Sequence, residues 1–264
     1  IRPGQDLFDV IIVDEASQSG NDALFLSYLA KKIVVVGDQH QISPDHIGQN
    51  REAVELLRKR YISDLPFSDH LGDDNSFFDQ ALIRYPGRIR LTEHFRCMPE
   101  IIQYSNKLCY ASEPLIPLRQ FGADRLSPVI VTRHVEDGYL KGNRSRIVNP
   151  PEAQAVVDQI IECCKNPDYD GKSMGVITLQ GQLQAPSIAN LLLKELGPEE
   201  IEKRKMRCGD AYAFQGDDRD VIFLSLVTAV SEGRAIGTLS GESDRRRFNV
   251  AASRAKDQMW LFHS

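Results

Sequence analysis

The sequence has no Cys-x-x-Cys pair, no apolar stretch of bilayer length and no excess of positive charge. Its five cysteines, Cys97, Cys109, Cys163, Cys164 and Cys208, neither form a pairing framework nor combine with His94 or His134 at a zinc spacing. An odd number of scattered thiols suits a reducing compartment, so a cytoplasmic protein is expected. No run approaches the roughly 20 apolar residues of a membrane-crossing helix and no secretory leader opens the chain, so no membrane partner is expected. A formal charge of −5 provides no global attraction for a polyanion. That weighs against a passive nucleic-acid coat, although it allows a grip along one narrow cleft. Internal repeats and low-complexity tracts are also missing.

What is present describes an ordinary globular protein. Of 264 residues, 42% are hydrophobic and 26% charged, enough for one large domain or two smaller ones. Apolar runs of strand length recur at Val10–Val13, Ile33–Val36, Pro128–Thr132, Met174–Thr178, Val221–Val227 and Met259–His263. Nearly continuous runs, as opposed to alternating ones, predict parallel strands covered on both faces. Between them lie helical patterns. The clearest is capped by Asn149, has Pro150 and Pro151 in its first turn, and places Val156, Val157, Ile160, Ile161 and Cys164 on one face. This alternation predicts an α/β fold with parallel sheets flanked by helices. The stretch from about 45 to 75 breaks the periodicity and reads as an insertion with one helix near Arg51–Tyr61, while Glu136–Asn149 reads as a surface loop. A division between two lobes is expected near residue 90. Because Ile1 is not Met and the first strand begins by Phe8, the chain reads as a piece of a longer one.

Two strand ends concentrate polar chemistry. The run Val10–Val13 delivers Asp14-Glu15 at its carboxyl end, the edge at which open α/β sheets bind ligands. Asp14 is placed to hold a hard magnesium ion, which takes carboxylate oxygen and keeps several waters. Glu15 would orient and deprotonate an attacking water. For this dipeptide by itself, a plain strand end is the simpler account. The run Ile33–Val36 then leads into Gly37-Asp38-Gln39-His40-Gln41-Ile42-Ser43-Pro44, where glycine permits a tight turn and the Gln41 amide suits water or a phosphate oxygen.

Taken together, Asp14-Glu15-Ala16-Ser17-Gln18 and Gly37-Asp38-x-x-Gln41-x-x-Pro44 resemble motifs II and III of superfamily 1 helicases, Asp14-Glu15 being the Walker B pair. The resemblance is to the superfamily 1B branch that holds nonsense-mediated-decay helicases and helicase–nucleases. Three further segments follow in that branch's order. Leu91–Ile101, with Phe95-Arg96-x-x-Pro99-Glu100, is similar to motif IV; Ala213–Ile222, with Gln215-Gly216-Asp217-Asp218, to motif V; and Arg246–Lys256, with Ser253-Arg254, to motif VI. The resemblance implies a RecA-like P-loop NTPase fold: the later part of a first lobe over residues 1–90 and a complete second lobe over 91–264. It implies ATP and Mg2+ as cofactors and single-stranded DNA or RNA as partner. Asp14, Glu15, Gln41, Arg96 and Arg254 would act on the terminal phosphate, the two guanidinium groups arriving from the second lobe. Gln18, Gly37, Asp38, Gln215, Gly216 and Asp218 would hold the nucleotide, Asp218 at the place where the family has an acidic ribose contact. Thr178 and Gln182, in Met174–Gln184, match a segment that lies along the bound strand. Asp210 stands where the family commonly has a hydroxyl residue, which puts one strand contact in question. The cluster Lys203–Arg207 reads as a solvated charge run.

A glycine-rich phosphate loop followed by Lys and Ser or Thr does not occur. Gly171-Lys172-Ser173 lacks the first glycine and precedes a strand. The Walker A loop is therefore expected upstream of residue 1, and the chain by itself is expected to be inactive. No nuclease constellation stands out, so a nuclease of the kind fused to other members would occupy another part. The alternative is a helicase-derived scaffold that binds nucleic acid without catalysis; it has no need of Asp14, Glu15, Arg96 and Arg254.

Overall fold

The computed structural model describes residues 5–42, 51–72, 75–85, 87–143, 145–229 and 241–264. The chain divides into two compact units, Ile1–Leu91 and Thr92–Ser264. No described helix is long and apolar enough to cross a membrane.

In the first unit, β1 (Phe8–Val13) pairs in parallel with β2 (Ala30–Val35), joined through the short helix α1 (Leu26–Leu29). Helix α2 spans Arg51–Tyr61, the place read as a helix within the insertion; residues 43–50, including Pro44, lie outside the described residues. Helix α3 (Phe77–Arg84) starts at a capping box: the Ser76 hydroxyl accepts from the Asp79 amide at 3.1 Å while the Asp79 carboxylate accepts from the Ser76 amide at 2.9 Å. One expectation is corrected here. β1 and β2 are not covered on both faces, since Phe8, Val10, Ile12 and Val34 are all exposed, Ile12 by 69%. Strand side chains alternate between faces, and the parallel register puts these four on one face, which is left exposed at their positions.

The second unit opens with β3 (Glu93–His94), α4 (Pro99–Cys109) and β4 (Ile116–Pro117), β3 and β4 forming a small parallel pair. Its main sheet contains β5 (Ile130–His134), β6 (Met174–Thr178), β7 (Arg207–Asp210), β8 (Arg219–Ser225) and β9 (Ala255–His263) in the order β5-β9-β8-β6-β7, every pairing parallel. Helices α5 (Pro150–Lys165), α6 (Gln184–Lys203) and α7 (Glu242–Ser253) connect the strands. This is an α/β, RecA-like fold. Here the continuous apolar runs do mark strands covered on both faces: Met174, Val176 and Ile177 of β6 and Val221–Leu224 of β8 are buried. Asn149 caps α5, accepting from the Glu152 amide at 3.2 Å, and Val156, Val157, Ile160 and Cys163 enter the core beside Phe223 and Trp260. Removing a ring the size of Phe223 from such a core costs about 3–5 kcal/mol.

In Lys203–Arg207 the charges of Lys203, Lys205 and Arg207 are exposed as expected, and the correction concerns Arg204 alone: it is 1% exposed, donates to the carbonyls of Tyr169 and Cys164, and pairs with Glu200 at 2.8 Å. A buried guanidinium is tolerated where carbonyls and a carboxylate satisfy its donors. The segment ends in β7 and is an integral part of the fold.

Candidate functional site

At the carboxyl end of β1, Asp14 is exposed and one of its oxygens accepts from the Glu15 amide at 2.8 Å. Glu15 adopts a left-handed backbone, φ 52°, which a non-glycine residue holds at a cost of order 1–3 kcal/mol. That bend aims its carboxylate back over the following turn, where the Gln18 amide donates to it at 2.8 Å. The β2 turn lies alongside, because the Ala16 amide donates to Val36 O at 2.9 Å and the Asp38 amide reaches the Ser17 hydroxyl at 3.5 Å. A side chain at Gly37 is excluded: its Cβ would sit 2.7 Å from the Phe78 ring and 3.1 Å from the Ser17 amide nitrogen. Asp38 accepts from the His40 amide at 2.9 Å and from the Gln41 amide group at 3.5 Å, whereas the buried Gln41 Oε1 has no hydrogen-bond partner among the described residues. So Asp14, Glu15, Gln18, Gly37, Asp38 and Gln41 share one edge of the first unit.

In the second unit, three segments far apart in sequence meet where β8 and β9 begin. Arg96 pairs with Asp218 at 3.3 Å, and Lys256 pairs with the other Asp218 oxygen at 2.9 Å. The backbones interlock: the Met98 amide donates to Lys256 O at 2.9 Å, the Cys97 thiol to Ser253 O at 3.4 Å, and the Arg219 amide to Arg254 O at 3.0 Å. Burial pushes the Cys97 thiol up to about 12, keeping it protonated as that donor. Arg254, at the end of α7, is 3% exposed and its Nε donates to Val250 O at 3.3 Å, so it is no solvated helix charge. His94 accepts from the Cys97 amide at 3.0 Å. Burial, followed by the charge of Arg96, lowers its pKa to about 4, which keeps the ring neutral for that bond. Asp220, close by, is pushed up by burial, but bonds from Ser173 and the charges of Lys256 and Lys172 outweigh this and hold it below the usual carboxylate range.

The turn from β7 to β8 contains Gln215 and Gly216 and brings Asp218 to this place. Asp210 opens it by accepting from the Ala213 amide at 2.8 Å, a turn-initiating role for the residue that departs from the family pattern. Phe214, fully buried, then lies over Gly175, where a Cβ would approach its ring to 2.8 Å. Gly216 follows with φ +70°, and Asp217 ties the turn down through Arg207 at 2.7 Å and through Arg219.

Thr178 and Gln182 stand at the opposite, carboxyl edge of the sheet. Thr178 is 3% exposed and its hydroxyl reaches Gly209 O at 3.5 Å, while Gln182 is exposed. The structure thus separates these two from Arg96, Asp218 and Arg254, which stand where β8 and β9 begin. Sequence reasoning passed over Arg119, Asp257 and Lys256 as partners in the cluster. Arg119 and Asp257 stand 138 residues apart and carry no local signature.

Guanidinium, ammonium and carboxylate groups from three segments thus meet at the amino edge of β8 and β9 in the second unit. Residues 74–264 match the family described as "AAA domain". The chain belongs to this family, within the superfamily 1B helicases. It is 30% identical to an uncharacterized ATP-dependent helicase of Mycoplasma genitalium over 99% of this chain and 24% of that protein. It is 25% identical to the human DNA replication ATP-dependent helicase/nuclease DNA2 over 97% of this chain and 24% of that one. It is also 25% identical to the regulator of nonsense transcripts 1 homolog of Neurospora crassa over 94% of this chain and 22% of that protein. The chain therefore spans about a quarter of the length of these relatives.

Proposed function

We propose that this chain forms the hydrolytic and arginine-bearing part of an ATP-dependent helicase that translocates on single-stranded DNA or RNA in the cytoplasm. The observation that carries this reading is the convergence of Arg96, Asp218, Arg254 and Lys256 from three distant segments onto one strand edge. Phosphoryl transfer needs positioning and charge more than covalent chemistry, and two arginines with planar donor forks suit the charge that grows on the terminal phosphate.

Among the described residues no group of three or more His, Cys, Asp and Glu side chains is arranged as a metal cage. A magnesium ion that keeps most of its waters and shares ATP oxygens does not need one, and the exposed Asp14 carboxylate fits that donor set. When bound, the ion would neutralise phosphate charge. Glu15, bent back by its left-handed backbone, orients and deprotonates the attacking water, and the unpartnered Gln41 Oε1 accepts a hydrogen from it. Gln18 steadies Glu15. Gln215, Gly216 and Asp218, and separately Gly37 and Asp38, serve to hold the nucleotide. The exposed amide of Gln182 meets the strand backbone, and the buried Thr178 shapes that edge from beneath. The Walker A loop comes from polypeptide upstream of residue 1, and any nuclease from another part of the same protein.

Phosphate release by the intact protein, with and without single strands, tests this. Stimulated release that falls about 10³–10⁵-fold in Arg254→Ala is the expected result, with no comparable release from the 264-residue chain by itself. Strand binding by the intact protein without any phosphate release would favour the scaffold instead.

A further inference from the structure

Arg119 lies just past β4, outside every segment with recognisable chemistry, yet its side chain joins two of them. One terminal nitrogen donates to Arg96 O at 2.8 Å and to Lys256 O at 2.5 Å, and the other pairs with the Asp257 carboxylate. Asp257 is 7% exposed, and its second oxygen accepts from Lys172 Nζ at 2.6 Å. Two cations from separate loops therefore satisfy one buried carboxylate, and that carboxylate orients the Arg119 fork toward two backbone carbonyls.

The arrangement matters because the Arg96 side chain is poorly fixed by its own contacts. It is 43% exposed and meets Asp218 at 3.3 Å, a contact that solvent screens. Where its guanidinium points is then decided by where its backbone is held. The Arg96 carbonyl and the Lys256 carbonyl belong to segments 160 positions apart, and one guanidinium spans both. A rigid planar fork can satisfy two carbonyls and a carboxylate together; an ammonium on a flexible stem cannot do so in the same geometry.

We infer that Arg119, held by Asp257, is a positioning residue that sets Arg96 against the strand edge bearing Arg254 and Lys256. The inference rests on the reading that Arg96 acts on the terminal phosphate of ATP. Its consequence is a loss in turnover without a matching loss in nucleotide affinity, because a displacement of about 1 Å in a catalytic group can cost 10²-fold in rate.

The test measures kcat and KM for strand-stimulated phosphate release by the intact protein, together with Tm, in Arg119→Ala, Arg119→Lys, Asp257→Asn and Arg96→Ala and in the Arg96→Ala/Arg119→Ala double variant. Arg119→Ala should lower kcat about 10–100-fold with KM changed by less than about threefold, and Arg119→Lys should fall between it and wild type. In the Arg96→Ala background, removing Arg119 should cost nothing further, since the group it positions is gone. An equal fold-loss in both backgrounds, or a loss confined to KM, would overturn the proposal. Should Arg119→Ala fail to fold, Asp257→Asn and Arg119→Lys give the same comparison. If Arg96→Ala turns over like wild type, the reading of Arg96 falls and the positioning role with it. If Arg96→Ala is inactive while Arg119→Ala keeps wild-type kcat, only the positioning role falls.

Discussion

His94 holds the segment that precedes Arg96 by accepting the Cys97 amide at Nε2, which a protonated imidazole cannot do. The folded protein keeps this ring neutral down to about pH 4, while an unfolded chain protonates it near 6.5. Between those values the unfolded state binds more protons, so the contribution of His94 is intact above about pH 6.5 and is lost progressively as pH falls toward 4. Glu152 acts in the opposite sense: burial raises its pKa above the usual carboxylate value, although bonds from Ser225, Val227 and Ser264 pull it back. Comparing two variants isolates the histidine. His94→Gln, whose side-chain carbonyl still accepts from Cys97, should show a smaller drop in Tm than wild type between pH 6.5 and 4.5 by differential scanning calorimetry. A wild-type drop no larger than that of the variant would sink the idea. Asp14, Glu15, Arg96 and Arg254 stood out in the sequence because each sits in a patterned run. The contact of Arg119 could not be read there, because it depends on the Arg96 and Lys256 carbonyls, which approach only when separate segments fold together; that of His94 is local, to the Cys97 amide, but no pattern marks it.

Gly175 shows how one strand position governs a whole turn. Phe214 lies over the Gly175 backbone, and a methyl group there would meet Phe214 at 2.8 Å and Ile222 at 3.0 Å. Gly175→Ala should destabilise the protein by about 1–3 kcal/mol through overpacking. It should also displace the turn bearing Gln215 and Asp218, so phosphate release falls by more than the loss of folded protein explains. Phe214→Leu in the same background should recover part of the Tm, which denaturation curves of the single and double variants would check; full additivity would exclude the contact as the cause. Strands β5, β6, β8 and β9 and helix α5 were legible because burial on both faces leaves a continuous apolar run, as in β6 and β8, and because Asn149-Pro150-Pro151 marks a helix start. Strand β5 was expected two residues early, at Pro128; it begins at Ile130. Helices α4 and α6 and strands β3, β4 and β7 escaped notice. Gly197, with φ 77°, and Pro198 kink α6, and the short sequence of β7, Arg-Cys-Gly-Asp, has no apolar run to announce it.

The two units differ in how much apolar surface they bury. In the first, the buried apolar side chains among the described residues are Ala16, Ala30, Ile42 and Phe77, and β1 and β2 leave Phe8, Val10, Ile12 and Val34 in water. In the second, β6 and β8 are sealed on both sides and a single cluster reaches from Leu126 to Phe262. Hydrophobic burial scales with area, at about 25 cal/mol per Å², so the free energy that resists local opening should be low in the first unit and close to the global value in the second. Hydrogen exchange of this 264-residue chain makes that visible strand by strand. Amides of Phe8–Val13 and Ala30–Val35 should exchange at least 100-fold faster, relative to their intrinsic rates, than those of Met174–Thr178 and Val221–Leu224, a gap that corresponds to about 3 kcal/mol. The same experiment on the intact protein should slow the first-unit amides if polypeptide outside these residues covers the exposed face of β1 and β2, while leaving the second-unit amides unchanged. Equal protection of both sheets in the 264-residue chain would mean that stability here does not follow the burial described.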